Sequence, residues 1–139
     1  RCLSDWSSDV CSSDLDLGLE VITGPELRKR GIQEIVGAIH ARVGSGPAFL
    51  SFDIDFVDPA FAPGTGTPEV GGPTSAEALE LVRGLVGINL VGADVVEVLP
   101  AYDSPGQVTA LLAANVAYEV MSVIACNRRL RERETEKAG

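Results

Sequence analysis

The chain has 139 residues, of which 45% are hydrophobic and 22% charged, so it is long enough for one small globular domain of ordinary composition. Its formal net charge of −9 argues against a nucleic acid or an anionic membrane surface as a partner. No continuous apolar run approaches the roughly 18 to 20 residues of a membrane span. The three cysteines have no metal-site spacing, which favours reduced thiols in the cytoplasm.

The first 15 residues differ from the rest of the chain, because the pair Ser-Asp recurs in them at Ser4, Ser8 and Ser13. This segment lacks the basic start and the continuous apolar centre of a secretory signal. We interpret residues 1–15 as a non-native leader or, as the alternative, a disordered low-complexity leader, and take residues 16–139 as the part of the chain that folds.

Residues 17–23 predict a short strand, and Gly24-Pro25 then opens a helical turn with proline at a favoured first position. An amphipathic helix ended by Gly44 follows, and its apolar positions are Ile32, Ile35, Val36, Ile39 and Val43. The single histidine, His40, lies on this helix. Because no second metal ligand stands at helical spacing from it, we interpret His40 as a surface or half-buried side chain.

An apolar run between Gly46-Pro47 and Pro59 predicts a short buried strand with Asp53 and Asp55 at its end. Side chains alternate along a strand, so these two carboxylates are expected on one face. Two neighbouring anions at a buried strand end require a compensating cation, and parallel sheets bind ligands at the carboxyl ends of their strands. The pattern predicts a metal site, although Asp-x-Asp alone is common and Asp58 before Pro59 is often only a turn starter.

Residues 60–73 form a segment dense in glycine and proline and poor in charge. Long loops in compact domains are usually binding loops or disordered linkers. The low charge and the presence of Phe61 favour a pre-shaped pocket wall over a linker.

A capping box at Thr74 and Glu77 predicts the start of a second helix. Residues 88–98 then predict an apolar strand buried on both faces. Asp94 and Glu97 within it are three positions apart, so they cannot share one side of a regular strand. Glu97 lies nearer the carboxyl end and is the better pocket candidate.

The turn at Asp103 is followed by Ser104, the predicted cap of a long helix with Pro105 at its first position. Residues 128–137 are predicted to be a mixed-charge solvated tail. Strands and helices thus alternate along the chain. This order predicts an α/β fold, a three-layer parallel sheet with helices on both faces.

Two longer motifs carry a resemblance to a known family. They read SFDIDFVDPAFAPGTGTPE at residues 51–69 and GADVVEVLP at residues 92–100. The first resembles the signature of the ureohydrolases, the agmatinase and arginase family of binuclear manganese enzymes, and the second resembles their substrate-side strand. The resemblance covers about residues 16–125 and implies that residues 16–139 are the carboxyl-terminal portion of a ureohydrolase domain with a wider parallel sheet.

The resemblance implies a role for each matching residue. Asp53 matches the carboxylate that bridges two Mn²⁺ ions, and Asp55 matches a carboxylate that binds one of them. Glu97 matches the acid that pairs with the substrate guanidinium, and Thr67 a pocket-wall position beside it. In such a site the ions lower the pKa of a bridging water, and the resulting hydroxide attacks the guanidinium carbon and releases urea and an amine.

Other ligands of the family, in Gly-Gly-Asp-His and Asp-Ala-His-x-Asp stretches, are absent from this sequence. The chain alone is therefore expected to be inactive, because two ligands cannot hold a binuclear centre well. The motifs look more like those of agmatinases than of arginases, so the first expectation is the conversion of agmatine to putrescine and urea in polyamine biosynthesis. Guanidinobutyrate, guanidinopropionate and arginine share the same guanidinium end. A full-length homo-oligomer, a trimer or hexamer, is also implied.

Two other classes of protein stay open from the residues themselves. A haloacid-dehalogenase-like phosphatase would use Asp53 as nucleophile in an Asp-x-Asp-x-Val motif, but it requires a downstream lysine and an acidic pair. The only lysine that follows Asp55 in the sequence is Lys137, in the predicted tail. The second alternative is a non-catalytic interaction module, which should show no stabilisation by manganese.

Overall fold

A computed structural model of the chain describes residues 18–138; the predicted leader at residues 1–15 lies outside them, as do Cys2 and Cys11. The described part contains four α-helices, two strands and two short 3₁₀-helices. In chain order they are α1 (Gly24–Arg30), α2 (Ile32–Val43), β1 (Ala48–Asp53), the 3₁₀-helix Ile54–Phe56, α3 (Ser75–Arg83), β2 (Leu90–Val96), the 3₁₀-helix Pro100–Tyr102 and α4 (Val108–Ala138).

The two strands pair in parallel, with Phe49 opposite Gly92 and Asp53 opposite Val96. The register shifts between Ala48 and Phe49, as expected for a β-bulge. α3 lies in the connection from β1 to β2, which confirms the predicted α/β class with a parallel sheet and packed helices. β2 is shorter at both ends than the predicted strand over residues 88–98.

The main core lies between one face of the sheet and helices α3 and α4. Phe52 and Ile54 pack there with Val82 of α3 and with Val116 and Val120 of α4. Ile39 and Val43 of α2 join a second cluster beside Ala48 and Leu50, on the same face. The helices that contact the sheet within residues 18–138 therefore cover the side of Leu50 and Phe52.

The opposite face of the sheet is exposed in the described part of the chain. Phe49 is 63% exposed, Val91 at the bulge is 67% exposed, and Ser51 and Asp94 are also exposed. The prediction that the second strand is buried on both faces is wrong for residues 18–138, because an apolar strand is buried only where another layer packs against it.

The strand predicted for residues 17–23 is also wrong over residues 18–23, which have no regular secondary structure. A strand needs a neighbour to receive its backbone hydrogen bonds, and within residues 18–138 none lies beside this segment. Ile22 instead packs against the small core of α1 and α2, and Leu19 is 55% exposed.

Helix α4 begins later and ends later than the sequence predicts. Ser104 does not cap it; the helix starts at Val108, after Gln107 with a φ of 52°. The carboxylate of Asp103 takes the capping role by accepting the N–H groups of Thr109 and Ala110. The predicted solvated tail over residues 128–137 is the last part of this helix, supported by the pair Arg128–Glu132.

By length and composition alone, α4 is apolar enough over Val108–Arg133 to cross a membrane, which corrects the expectation that no segment reaches this size. A search for a continuous apolar run misses it because Glu119 interrupts the run. Core helices have the same composition, and four apolar side chains on one side of α4 are buried against the rest of the protein: Leu112, Val116, Val120 and Val123. One side of α4 therefore belongs to the core, while Leu111, Tyr118 and Met121 on its other side are exposed.

Two capping boxes and one buried asparagine hold the helices in place. The capping box of Thr74 and Glu77 at the start of α3 is confirmed, and Thr23 and Glu26 form a second box before α1 that the sequence analysis missed. Asn127 of α4 is buried; its side-chain Nδ2 donates to the Ile88 carbonyl at 2.7 Å, and its side-chain Oδ1 accepts the N–H of Gly87. These two hydrogen bonds attach α4 to the segment that directly precedes β2.

The exposed face of the sheet leads to a testable prediction. The polypeptide of residues 18–138, made alone, is expected to associate, because unpaired strand edges and exposed Phe49 and Val91 are templates for contact with other chains. Phe49→Ser should reduce this association, measured by size-exclusion chromatography with light scattering. Tyr118→Ser, which removes an exposed ring from α4, is the matched control. A wild-type monomer at every concentration would contradict the prediction.

Candidate metal and substrate site

The chain changes conformation at the two predicted metal ligands. β1 ends at Asp53, and the 3₁₀-helix Ile54–Phe56 begins directly after it. The side chain of Asp53 caps this helix by accepting the N–H of Asp55 at 2.9 Å. The prediction that both carboxylates project from one face of a strand is therefore wrong, because strand alternation stops at Asp53. Asp53 is exposed, whereas Asp55 is buried.

Asp55 has an incomplete set of hydrogen bonds. Its Oδ2 accepts a hydrogen bond from the hydroxyl of Thr67. Its Oδ1 is buried and has no hydrogen-bond partner among the described residues. The hydroxyl of Thr65 is likewise buried and has no hydrogen-bond partner among them. A buried carboxylate oxygen without a donor is costly unless a cation or a polar ligand meets it. Asp55 therefore fits a metal ligand, and Asp53 still has one carboxylate oxygen beyond the one bonded to Asp55.

The two aspartates do not by themselves make a complete metal centre. Within residues 18–138, no group of three or more His, Cys, Asp or Glu side chains is arranged to hold a metal ion. His40, as predicted, is partly buried, and its Nε2 lies 2.9 Å from the Gly84 carbonyl, a contact between α2 and the end of α3. The site would thus receive two carboxylates from this part of the chain.

The glycine- and proline-rich loop is an ordered structure tied together by Asp58. The Oδ1 of Asp58 accepts the N–H of Ala60 at 2.8 Å, and its Oδ2 accepts the N–H of Gly71 at 2.8 Å, so one side chain joins both ends of the loop. These two N–H groups hold the pKa of Asp58 below its usual range. Asp58 therefore not only starts a turn but also closes the loop between Ala60 and Gly71.

Glu97 follows β2 directly, one residue after Val96, which pairs with Asp53. It therefore lies at the carboxyl end of the sheet, and its role in a pocket stays a prediction. The side chain is exposed and its φ is 62°, a left-handed conformation that glutamate rarely adopts. Strain of this kind persists where the surrounding structure imposes it, and it is common at functional sites. Asp94 lies opposite Ser51 on the exposed face of the sheet.

Four residues that the sequence analysis did not select as site candidates connect the loop over residues 60–73 with the segment after β2. Gly64 donates its N–H to the Thr109 hydroxyl at 2.8 Å and accepts the N–H of Leu99 at 2.8 Å. Asp103 packs against Gly64 at the start of α4. The motif at residues 51–69 contains Gly64 and is a sequence signal for this group, but the motif does not reveal the partners, because the contacts join positions up to 45 residues apart.

The fold and the site have counterparts among known proteins. The sequence model of the arginase family matches residues 3–123. The agmatinase of Citrobacter koseri is 49% identical over 115 residues, and the guanidinobutyrase of Pseudomonas aeruginosa is 47% identical over 107 residues. The structure of proclavaminate amidino hydrolase from Streptomyces clavuligerus matches with a TM-score of 0.79 and 41% identity, over 84% of this chain and 39% of that one.

The chain therefore belongs to the arginase family. This membership confirms the resemblance carried by the two motifs, and it excludes the haloacid-dehalogenase-like phosphatase, which belongs to a different family. The matched segments cover 83% and 77% of this chain but only 37% and 33% of the agmatinase and the guanidinobutyrase, so the chain spans about a third of the length of these relatives.

The hydrogen bonds of Asp58 give a pH-dependent prediction. Because the folded-state pKa is lowered, the carboxylate stabilises the fold above about pH 4, and this contribution disappears as the pH falls through the lower folded value. Asp58→Asn should therefore be less stable than the wild type at pH 7, and the difference should shrink at pH 3. Denaturant unfolding at the two pH values measures it, and a difference of the same size at both would contradict the assignment.

Proposed function

We propose that the protein containing this chain is a ureohydrolase that cleaves the guanidinium C–N bond of a small guanidino compound with the help of manganese. The observation that carries the proposal is the buried, unpartnered Oδ1 of Asp55 at the carboxyl end of a parallel strand. Family membership and the names of the relatives, which include an agmatinase and a guanidinobutyrase, support the same reaction.

Asp53 and Asp55 would hold the metal from this part of the chain. Hard oxygen donors suit Mn²⁺, and a carboxylate with one oxygen free of hydrogen bonds can donate that oxygen to a cation. When bound, the ions would supply the acidity that makes water a nucleophile near neutral pH. The chain itself orients the ligand, because the Thr67 hydroxyl occupies Oδ2 of Asp55 and leaves Oδ1 for the metal.

The contact between Thr67 and Asp55 changes the role proposed for Thr67. The resemblance implies a pocket-wall residue beside the substrate acid. In the structure the Thr67 hydroxyl is committed to Asp55, so we assign it to the metal side of the site. A threonine methyl group can still form part of the pocket wall while its hydroxyl holds the carboxylate.

Glu97 would bind the substrate guanidinium. It is an exposed carboxylate at the same end of the sheet as Asp53, and its backbone conformation directs the chain out of β2 at this point. A carboxylate and a guanidinium form a charge-assisted pair with two parallel hydrogen bonds. Such a pair would hold and orient the guanidinium at the end of the sheet that carries the proposed metal ligands.

Agmatine is the first choice of substrate, because the loop over residues 62–69 and the segment after Glu97 resemble agmatinase motifs. Guanidinobutyrate is the second choice, since the Pseudomonas aeruginosa relative is a guanidinobutyrase. Both carry the guanidinium end that Glu97 would bind. A cytoplasmic location and assembly into trimers or hexamers are further parts of the proposal.

The metal role of Asp55 is tested by Asp55→Asn in the full-length protein that carries this chain. The change removes the charge and leaves the side-chain volume nearly the same, so Mn²⁺ content and urea release should fall together. Asp53→Asn should have the same effect if Asp53 is the bridging ligand. Metal analysis and a urea assay with agmatine are the measurements.

Asp94→Asn is the matched control, because Asp94 is an exposed carboxylate on the neighbouring strand and should not affect the metal. Full metal content and activity in Asp55→Asn would contradict the assignment. An absence of any manganese-dependent stabilisation of the wild type would instead favour the non-catalytic interaction module.

The substrate role of Glu97 is tested by Glu97→Gln. Both metal ions should remain, while kcat/KM for agmatine should fall by the equivalent of about 2 to 5 kcal/mol, the cost of removing one partner of a desolvated charge pair. Glu69→Gln, which changes an exposed glutamate of the loop, is the control. Loss of manganese together with activity would show that Glu97 is a ligand or a structural residue.

A further inference from the structure

Gly64 lies where three parts of the site meet. Its N–H donates to the Thr109 hydroxyl of α4 at 2.8 Å, and its carbonyl accepts the N–H of Leu99 at 2.8 Å. Gly64 is buried, so both of its backbone groups depend on these partners. The loop, the end of β2 and the start of α4 are therefore joined at one peptide.

There is no room for a side chain at this junction. A Cβ atom on Gly64 would lie 2.7 Å from the Cβ of Asp103 and 2.9 Å from its Cα. These distances are well inside van der Waals contact, and the backbone of Asp103 cannot move aside as a flexible side chain would. Glycine is required here by close approach.

Asp103 is itself held in place by the start of α4. Its Oδ1 accepts the N–H groups of Ser104 at 2.8 Å and of Thr109 at 3.1 Å, and its Oδ2 accepts that of Ala110 at 3.0 Å. Thr109 is fully buried. Asp103 and Thr109 thus form the packing and hydrogen-bonding surface for Gly64, which we call the Gly64 contact. In each of these hydrogen bonds a side-chain oxygen of Asp103 or Thr109 accepts a backbone N–H.

The Gly64 contact lies close in sequence to Thr67 on the metal side of the proposed site and to the substrate acid Glu97. Gly64 precedes Thr67 by three residues, and Thr67 donates to the proposed metal ligand Asp55. Leu99 follows the proposed substrate acid Glu97 by two residues, and its N–H is bonded to Gly64. A shift of Gly64 would therefore move Thr67 relative to Asp55 and release the segment that carries Glu97.

We propose that Thr109 and Asp103 are positioning residues that act through Gly64 to place Thr67 against Asp55 and Glu97 beside the metal ligands. The proposal rests on the proposed function of that site. Neither residue needs to touch substrate or metal. Thr109 supplies the acceptor for the Gly64 N–H, and Asp103 fixes Thr109 and fills the space beside Gly64.

The test uses Thr109→Val in the full-length protein, since valine keeps the shape of threonine and removes the acceptor. Leaving the buried Gly64 N–H unpaired should lower kcat/KM for agmatine by about tenfold or more and weaken Mn²⁺ binding measured by titration calorimetry. Amide hydrogen exchange over residues 64–67 should become faster. Thr109→Ser retains the hydroxyl and should restore all three values to near the wild type.

Thr135→Val is the matched control, because it makes the same change at an exposed position of the same helix. Asp103→Asn serves as the second variant: it keeps the volume, loses part of the acceptor set, and should also speed exchange over residues 64–67. If Thr109→Val does not fold, this variant decides the question.

The outcomes separate this proposal from the proposed function. Lower thermal stability in Thr109→Val with unchanged kcat/KM, metal affinity and loop exchange would show a purely structural role and overturn the positioning proposal. A wild type that releases no urea from any guanidino compound would refute the proposed function. Loop exchange in Thr109→Val would still decide the positioning: unchanged exchange would overturn it, and faster exchange that Thr109→Ser reverses would support it.

Discussion

The burial of Asp55 at the end of β1 is the constraint around which the site is arranged. Its Oδ2 is bonded to Thr67 and its Oδ1 has no partner within residues 18–138, an arrangement that destabilises an isolated chain. A cation at Oδ1 would remove that cost, so the same feature that weakens the metal-free fold would make metal binding favourable. If the site binds a metal as proposed, metal binding would therefore be coupled to folding.

The loop over residues 60–73 is ordered by close backbone packing and by hydrogen bonds. Glycine usually adds flexibility to a loop, but here Gly64 and Gly72 allow close packing: a Cβ on Gly72 would lie 2.3 Å from the Phe56 carbonyl oxygen. Asp58 closes the loop at its ends, and Thr109 holds it at Gly64. The loop can present Thr67 at a defined position because backbone hydrogen bonds, and not a large apolar core of its own, hold it.

The sheet is packed on one face and exposed on the other in the described residues, and the site lies at its carboxyl end. Helices α3 and α4 bury Phe52 and fix the end of β1, while Phe49 on the other face is exposed. The helical layer therefore supports, from one face, the strand end that carries Asp53 and Asp55. The relatives are about three times as long as the segments that match this chain. The activity proposed for the whole protein depends on ligands from outside the described site.

The sequence by itself determined the helices, the parallel α/β class, the capping box at Thr74 and the family, because helical periodicity, capping and a long motif are local signals. It also selected Asp53, Asp55 and Glu97 as candidate residues, whose roles stay predictions. Only the tertiary structure decided that Asp55 leaves the strand, that Gln107 delays the start of α4, that residues 18–23 form no strand, and that Gly64 joins Thr109, Leu99 and Asp103. The physical reason is that these features depend on hydrogen bonds and close contacts between distant segments, whereas sequence patterns report the preferences of neighbouring residues.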